Sequence, residues 1–259
     1  MIQRERTTVQ ADEVAFFEKY YENTAYNLTG WRLRLKRELR SLRKTAGLKR
    51  LDHVLSIGCG DGQFEMMLAP FAKQITALDI SPKAIEVAKR KAAKTGITNI
   101  DFRCLSMSEL RWEEQYDAII CLAFLHHVRE TDLPGFLYQS YAHLKPGGFF
   151  YSQDPNINGV LRKIGRATLG AQYDKYHSPD ERELDPKQLA ALLRLNKFDS
   201  VRISYIDLTL IPALFLLANR PSWPLYLCPA IDWLWCHSPL ARWASGFNSI
   251  AWKKVKWIR

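Results

Sequence analysis

The sequence predicts an α/β protein built on a mostly parallel sheet. Three observations lead there: short apolar runs, helical segments between them, and a glycine-rich loop closing the first run. The runs are His53–Ile57, Gln74–Leu78, Ile100–Cys104, Tyr116–Leu122 and Gly148–Ser152. They are nearly continuous rather than alternating, as strands covered on both faces must be. Helical patterns at about 63–71, 82–95 and 131–143 separate them. Strictly alternating strands and helices give parallel pairing with right-handed crossovers. Pro146-Gly147-Gly148 marks a turn before the fifth run.

The flanks read differently. Residues 12–50 carry two helical patterns, the second with an apolar stripe of Trp31, Leu35, Leu39 and Leu42. After Gln153 the chain reads as irregular through His177. A helix follows at about 186–195, then strands near Ser200–Asp207 and Asn248–Trp257. The division expected is a basic helical cap over 1–50 and an α/β domain over 51–259, with an aromatic-rich helical insertion at about 208–246.

Composition narrows the function classes. The chain has 259 residues and a formal net charge of +10. Between Trp31 and Arg50 nine Lys/Arg stand against Glu38 alone, which gives 9 − 1 = +8. Such a patch attracts anionic partners. The absence of a recognisable RNA-binding module argues against nucleic acid and leaves an anionic membrane surface or a solvated helix face. Five separated cysteines without a Cys-x-x-Cys pair argue against a disulfide framework. Met1–Asp12 is polar and has no apolar core, so a cytoplasmic location is expected, with peripheral binding to the inner face of the membrane as the alternative. No His/Cys/Asp/Glu set has metal-ligand spacing, so no metal is expected.

The chemistry sits in Gly58-Cys59-Gly60-Asp61-Gly62, after the buried run Val54–Ile57. Glycines let a backbone turn sharply and approach a ligand closely. Ligands of open α/β sheets bind at the carboxyl ends of the strands, where this loop falls. The second strand ends in Asp79, an acid placed to accept both hydroxyls of a ribose. The third glycine comes one residue too early for the dinucleotide fingerprint, which argues against a dinucleotide oxidoreductase.

The G-x-G-x-G form resembles the S-adenosylmethionine (SAM) loop of class I methyltransferases. The resemblance extends through Ala77–Ser81, Ile100–Leu110, the segment Tyr116–Val128 with its pair His126-His127, and His143–Gly148. It is nearest to bacterial small-molecule and lipid-pathway enzymes. It implies a Rossmann-like, seven-stranded sheet of order 3-2-1-4-5-7-6. It also implies methyl transfer from SAM to a small or lipid-like acceptor. For the cofactor, the implied residues are Gly58, Cys59, Gly60, Asp61, Gly62, Asp79, Ile80, Ser106, Met107, Leu122 and a pocket-closing Tyr26. Two positions depart from the family pattern: Ser56 and Ser106 stand where acids are frequent. Asp61 is the expected substitute for the first.

If the acceptor is a hydroxyl, a base must sit at the same rim. The candidates are His127, His126, Asp154 and His177. The insertion should emerge beside that rim, since the sixth strand runs parallel to the others. It holds Trp223, Trp233, Trp235 and Trp243, and tryptophan favours membrane interfaces. A lipid-facing lid, a homodimer interface and a buried cover are the readings open to it. Two functional alternatives stand beside the main one: a tRNA methyltransferase and a non-catalytic partner subunit of the same fold.

Overall fold

The computed structural model describes residues 14–15, 28–48, 50–112, 114–169, 181–210, 213 and 223–255. Seven strands form one sheet: β1 (Leu51–Ile57), β2 (Ala72–Asp79), β3 (Ile100–Cys104), β4 (Tyr116–Leu122), β5 (Leu144–Pro155), β6 (Asp199–Ile206) and β7 (Gly246–Trp252). Their spatial order is β3-β2-β1-β4-β5-β7-β6. The first five pair in parallel, and β7 lies antiparallel between β5 and β6. This is the expected architecture. The carboxyl ends of β1, β2, β4, β5 and β6 therefore share one rim.

Seven α-helices are described: α1 (Leu28–Ala46), α2 (Gln63–Leu68), α3 (Pro82–Thr95), α4 (Leu133–His143), α5 (Val160–Leu169), α6 (Pro186–Leu195) and α7 (Pro224–Cys236). Local chemistry sets their limits. In α3 the Ser81 hydroxyl accepts from Ala84 N–H, Pro82 opens the first turn, and Gly96 closes the helix at φ 69°. Its buried face is Ala84, Ile85, Ala88 and Ala92, small enough to lie close on the sheet. One apolar layer holds Leu35, Leu42, Val54, Ile75, Ala88 and Ile120; the other holds Leu55, Ile119, Leu137, Phe150, Leu193 and Phe247.

Two sequence expectations need correction. Residues 160–169 read as irregular but form α5. Much of its apolar surface, including Val160 and Ile164, is exposed, so no core stripe announced it. The basic run of α1 read as a solvated or partner-facing patch, yet part of it is internal. Arg34 is buried and donates to Asp207 at 2.9 Å and to Gln153. Arg37 reaches Asp232 of α7 at 3.0 Å. Glu38, also buried, accepts from Tyr151 Oη, which itself accepts from Asn248 at 2.7 Å. Arg32, Lys36, Arg40 and Arg43 remain exposed. Hydrogen-bonded polar side chains thus dock α1 onto β5, β7 and the insertion.

Candidate cofactor and acceptor site

The first half of the site is the turn after β1. Gly58 and Cys59 N–H both donate to the Leu78 carbonyl, at 2.8 and 2.9 Å, which ties the ends of β1 and β2 together. Gly58 and Gly62 have φ of 75° and 73°. A Cβ on Gly58 would lie 2.9 Å from Phe124, and one on Gly62 would lie 2.7 Å from Phe102. The bend therefore needs glycine for its dihedrals and for the rings packed on it.

Asp79 closes the turn. Its Oδ2 accepts from Gly60 N–H at 2.7 Å and its Oδ1 from Ser81 N–H at 2.9 Å. Burial raises its pKa, against the lowering effect of those amides. An ionised carboxylate offers about four lone-pair positions, and backbone amides occupy only part of them. The remainder can accept hydroxyls, so Asp79 fits a ribose while holding the loop.

The other predicted cofactor residues are arranged as follows. Asp61 is bound to Lys91 of α3 and, at 2.8 Å, to Gln63. Its charge is thus neutralised within the protein. Cys59 is buried, and burial pushes its thiol well up, which excludes a nucleophilic role. Ser106 is buried; its amide donates to Glu109 at 3.0 Å and its hydroxyl pairs with Ser108 at 2.8 Å. Ile80, Met107 and Leu122 are half-buried near the strand ends. Tyr26 lies outside the described residues.

One acid at the loop was not read from the sequence. Glu65 of α2 is 2% exposed and accepts from Ser56 Oγ at 2.7 Å through Oε1. Its Oε2 has no hydrogen-bond partner among the described residues. Its pKa is raised to about 7, chiefly by desolvation and with a smaller push from the charges of Asp61 and Asp79, against the lowering effect of the Ser56 hydrogen bond. The signal was available: Ser56 occupies an acid's place, and Glu65 follows one helical turn into α2.

The second half of the site lies beyond β4 and β5. Ala123 bends the chain at φ 51°, unusual without glycine, with its N–H on the Gln153 carbonyl at 2.7 Å. A short turn then carries Leu125–His127. Asp154, fully buried, accepts from His126 N–H at 3.3 Å and lies 3.1 Å from His126 Nδ1. Burial raises Asp154 to about 7. His127 is half-buried, its ring 4.0 Å from that of His126, and it is an electrostatic neighbour of both Asp79 and Asp154. It therefore stands between the two halves. His177 lies outside the described residues.

The fold also brings Glu181 to the histidine pair. Ligand atoms of His126, His127 and Glu181 lie within 4.8 Å of one another, a set able to hold a divalent cation. The sequence reading named no metal set, because Glu181 is far downstream. Arg182 positions it, donating to the His126 carbonyl through its amide and to Val128 through Nε, both at 3.1 Å.

The two raised carboxyls give a pH signature. Glu65 and Asp154 rise from 4.5 and 3.8 to about 7, so the folded state holds protons that the unfolded chain releases. Their contribution is full below about pH 4 and is lost as pH rises through about 7, roughly 3–4 kcal/mol for each buried group. Urea unfolding of the ligand-free protein should show stability falling across that interval. Glu65→Gln and Asp154→Asn should each flatten part of the slope.

Residues 54–148 match a family model described as a methyltransferase domain. The chain is similar to the ubiquinone biosynthesis O-methyltransferase of Methylocella silvestris, 32% identical over 161 residues, 59% of this chain and 61% of that protein. The enzyme of the same name from Xylella fastidiosa is 34% identical over 149 residues, 54% of this chain and 58% of that one. The chain thus spans about three fifths of these curated relatives. Among solved structures, magnesium protoporphyrin IX methyltransferase of Synechocystis with bound SAH aligns with a TM-score of 0.58 at 16% identity, over 87% of this chain and 84% of that one. A phosphoethanolamine N-methyltransferase of Haemonchus contortus, solved with S-adenosyl-L-methionine, gives 0.59 at 17%, over 85% and 53%. Identities this low establish the shared fold.

Proposed function

We propose that the chain binds SAM at the β1–β2 turn and transfers its methyl group to a hydroxyl of a small, lipid-like acceptor at a membrane surface. The observation that carries the cofactor reading is the junction of Gly60 and Asp79, which leaves carboxylate lone pairs facing the same rim as the loop. SAM supplies an electrophilic methyl group. The chain supplies position and proton transfer. Asp79 holds the sugar. Asp154 fixes the His126 ring and its turn, and His127, beside them, accepts the acceptor's proton as the new C–O bond forms and the S–C bond breaks. The names of the similar O-methyltransferases support the choice of oxygen.

The lipid reading rests on α7. Trp223, Tyr226, Leu227, Ile231, Trp233 and Leu234 are exposed, Trp223 at 74% and Leu234 at 65%. Asp232 is its only charged side chain, and that is buried against Arg37 and Thr209. Exposing this much apolar and aromatic surface is costly in water and suits an interface. No described helix is long and apolar enough to cross a membrane, so α7 lies along the surface. Thr209, which bonds Asp232 at 2.7 Å through its N–H, ties α7 to the exit of β6 at the rim.

Label from methyl-tritiated SAM should enter the organic phase when a phenol carrying a long apolar tail, held in anionic vesicles, is the acceptor. Transfer to tRNA instead would replace this reading with the nucleic-acid one. In flotation with the same vesicles, Trp233→Asp/Leu234→Asp should recover roughly tenfold less protein or below, given the apolar burial lost. Unchanged flotation would remove the membrane from the proposal.

A further inference from the structure

We infer that Glu65, rather than an acid at position 56 or Asp61, receives the amino group of the bound adenosyl amino acid. The inference rests on the SAM-binding reading above and concerns which side chain completes that site. Three carboxylates surround the turn. Asp61 is neutralised by Lys91 and bridged by Gln63. Asp79 serves two backbone amides and faces the sugar. Glu65 is held at one oxygen by Ser56, and its second oxygen is buried with no partner among the described residues.

An orphaned carboxylate oxygen in a buried place is costly unless a donor arrives. An ammonium is the donor whose chemistry fits, since it supplies both the charge and the hydrogen bond. The Ser56 hydroxyl then has a clear role. It occupies one Glu65 oxygen, fixes the carboxylate plane, and leaves the other oxygen to the ligand. The acid has thus moved from the strand to the facing helix, with the serine left behind as its anchor.

The titratable groups facing Glu65 are Asp61, Asp79 and Cys59. The two carboxylates favour a protonated Glu65 in the free protein, while the thiol stays protonated throughout. Arrival of an ammonium reverses the balance and expels the proton. Binding of S-adenosylhomocysteine (SAH) near pH 6 should then release more protons than binding of 5′-methylthioadenosine, which carries the same adenosine and no amino acid.

The test is calorimetry of both ligands, in two buffers of different ionisation heat, on the full chain. Wild type should release close to one additional proton with SAH. Glu65→Gln should bind SAH at least tenfold more weakly, bind methylthioadenosine unchanged, and lose the additional proton. Ser56→Asp/Glu65→Ser, which returns the acid to the strand, should recover most SAH affinity. Should Glu65→Gln fail to fold, the wild-type proton difference decides alone: none overturns the assignment. If wild type binds SAH and Glu65→Gln binds it equally well, the Glu65 assignment falls while the cofactor reading stands. If wild type binds neither ligand, the cofactor reading falls and takes the assignment with it.

Discussion

Asp79→Ala should remove measurable SAH binding, a loss of 100-fold or more. The side chain has two tasks that fail together. It accepts from Gly60 N–H at 2.7 Å and so fixes the turn, and in the proposed site its remaining lone pairs receive the ribose. Hydrogen bonds to a charged group contribute about 1.5–3 kcal/mol each, and two sugar hydroxyls place the loss at several kcal/mol. Fold stability should change far less. Relief of a buried carboxylate, whose pKa is already raised, offsets much of the lost amide bonding. Asp79→Asn separates the tasks. It can still accept from Gly60 but loses the charge, so its affinity should fall between the two. Titration calorimetry with SAH, beside urea melts of each variant, measures both quantities. An Asp79→Ala protein that binds SAH like wild type would remove Asp79 from the site.

Arg34→Ala should give the largest stability loss of any single change on α1, about 3 kcal/mol or more. The guanidinium is buried between Asp207 and Gln153, at the exits of β6 and β5. Its removal leaves the Asp207 carboxylate facing, among the described cations, Arg37 at 3.6 Å, and leaves an amide oxygen without its donor. The double variant Arg34→Ala/Asp207→Ala should recover part of the loss, because the stranded charge goes with its partner. Chemical denaturation of the four members of this cycle gives the coupling. A loss below 1 kcal/mol in the single variant would mean that α1 is held by its apolar stripe and its other polar contacts without Arg34.

The sheet was legible because its signals are local. Continuous apolar runs such as Tyr116–Leu122 cannot be anything but doubly covered strands when glycine turns and helical segments alternate with them, and β3 and β4 match the expected limits to the residue. The turn after β1 was legible for the same reason, since Gly58–Gly62 and Asp79 each sit at the end of a readable strand. What escaped depends on contacts between distant segments. Glu65 reads as an ordinary helix acid until Ser56 is seen facing it. Glu181 joins His126 and His127 only because Arg182 anchors its segment to their backbone. Arg34 and Arg37 look like surface charge in a basic run. Their acidic partners, Asp207 and Asp232, lie more than 150 residues away, and no periodicity reports a pairing of that span.

The antiparallel β7 has a consequence for how the protein is made. β6 pairs with no described strand except β7, and β5 meets β6 only through it. Residues 199–206 are synthesised some forty positions before 246–252. Throughout that interval the edge of β5 and the whole of β6 have no strand to pair with, while the apolar α7 is already emerging. Exposed edges of this kind invite pairing with other chains. The half-finished chain is therefore more prone to aggregate than the finished one, and a chaperone would act to greatest effect between the appearance of β6 and that of β7.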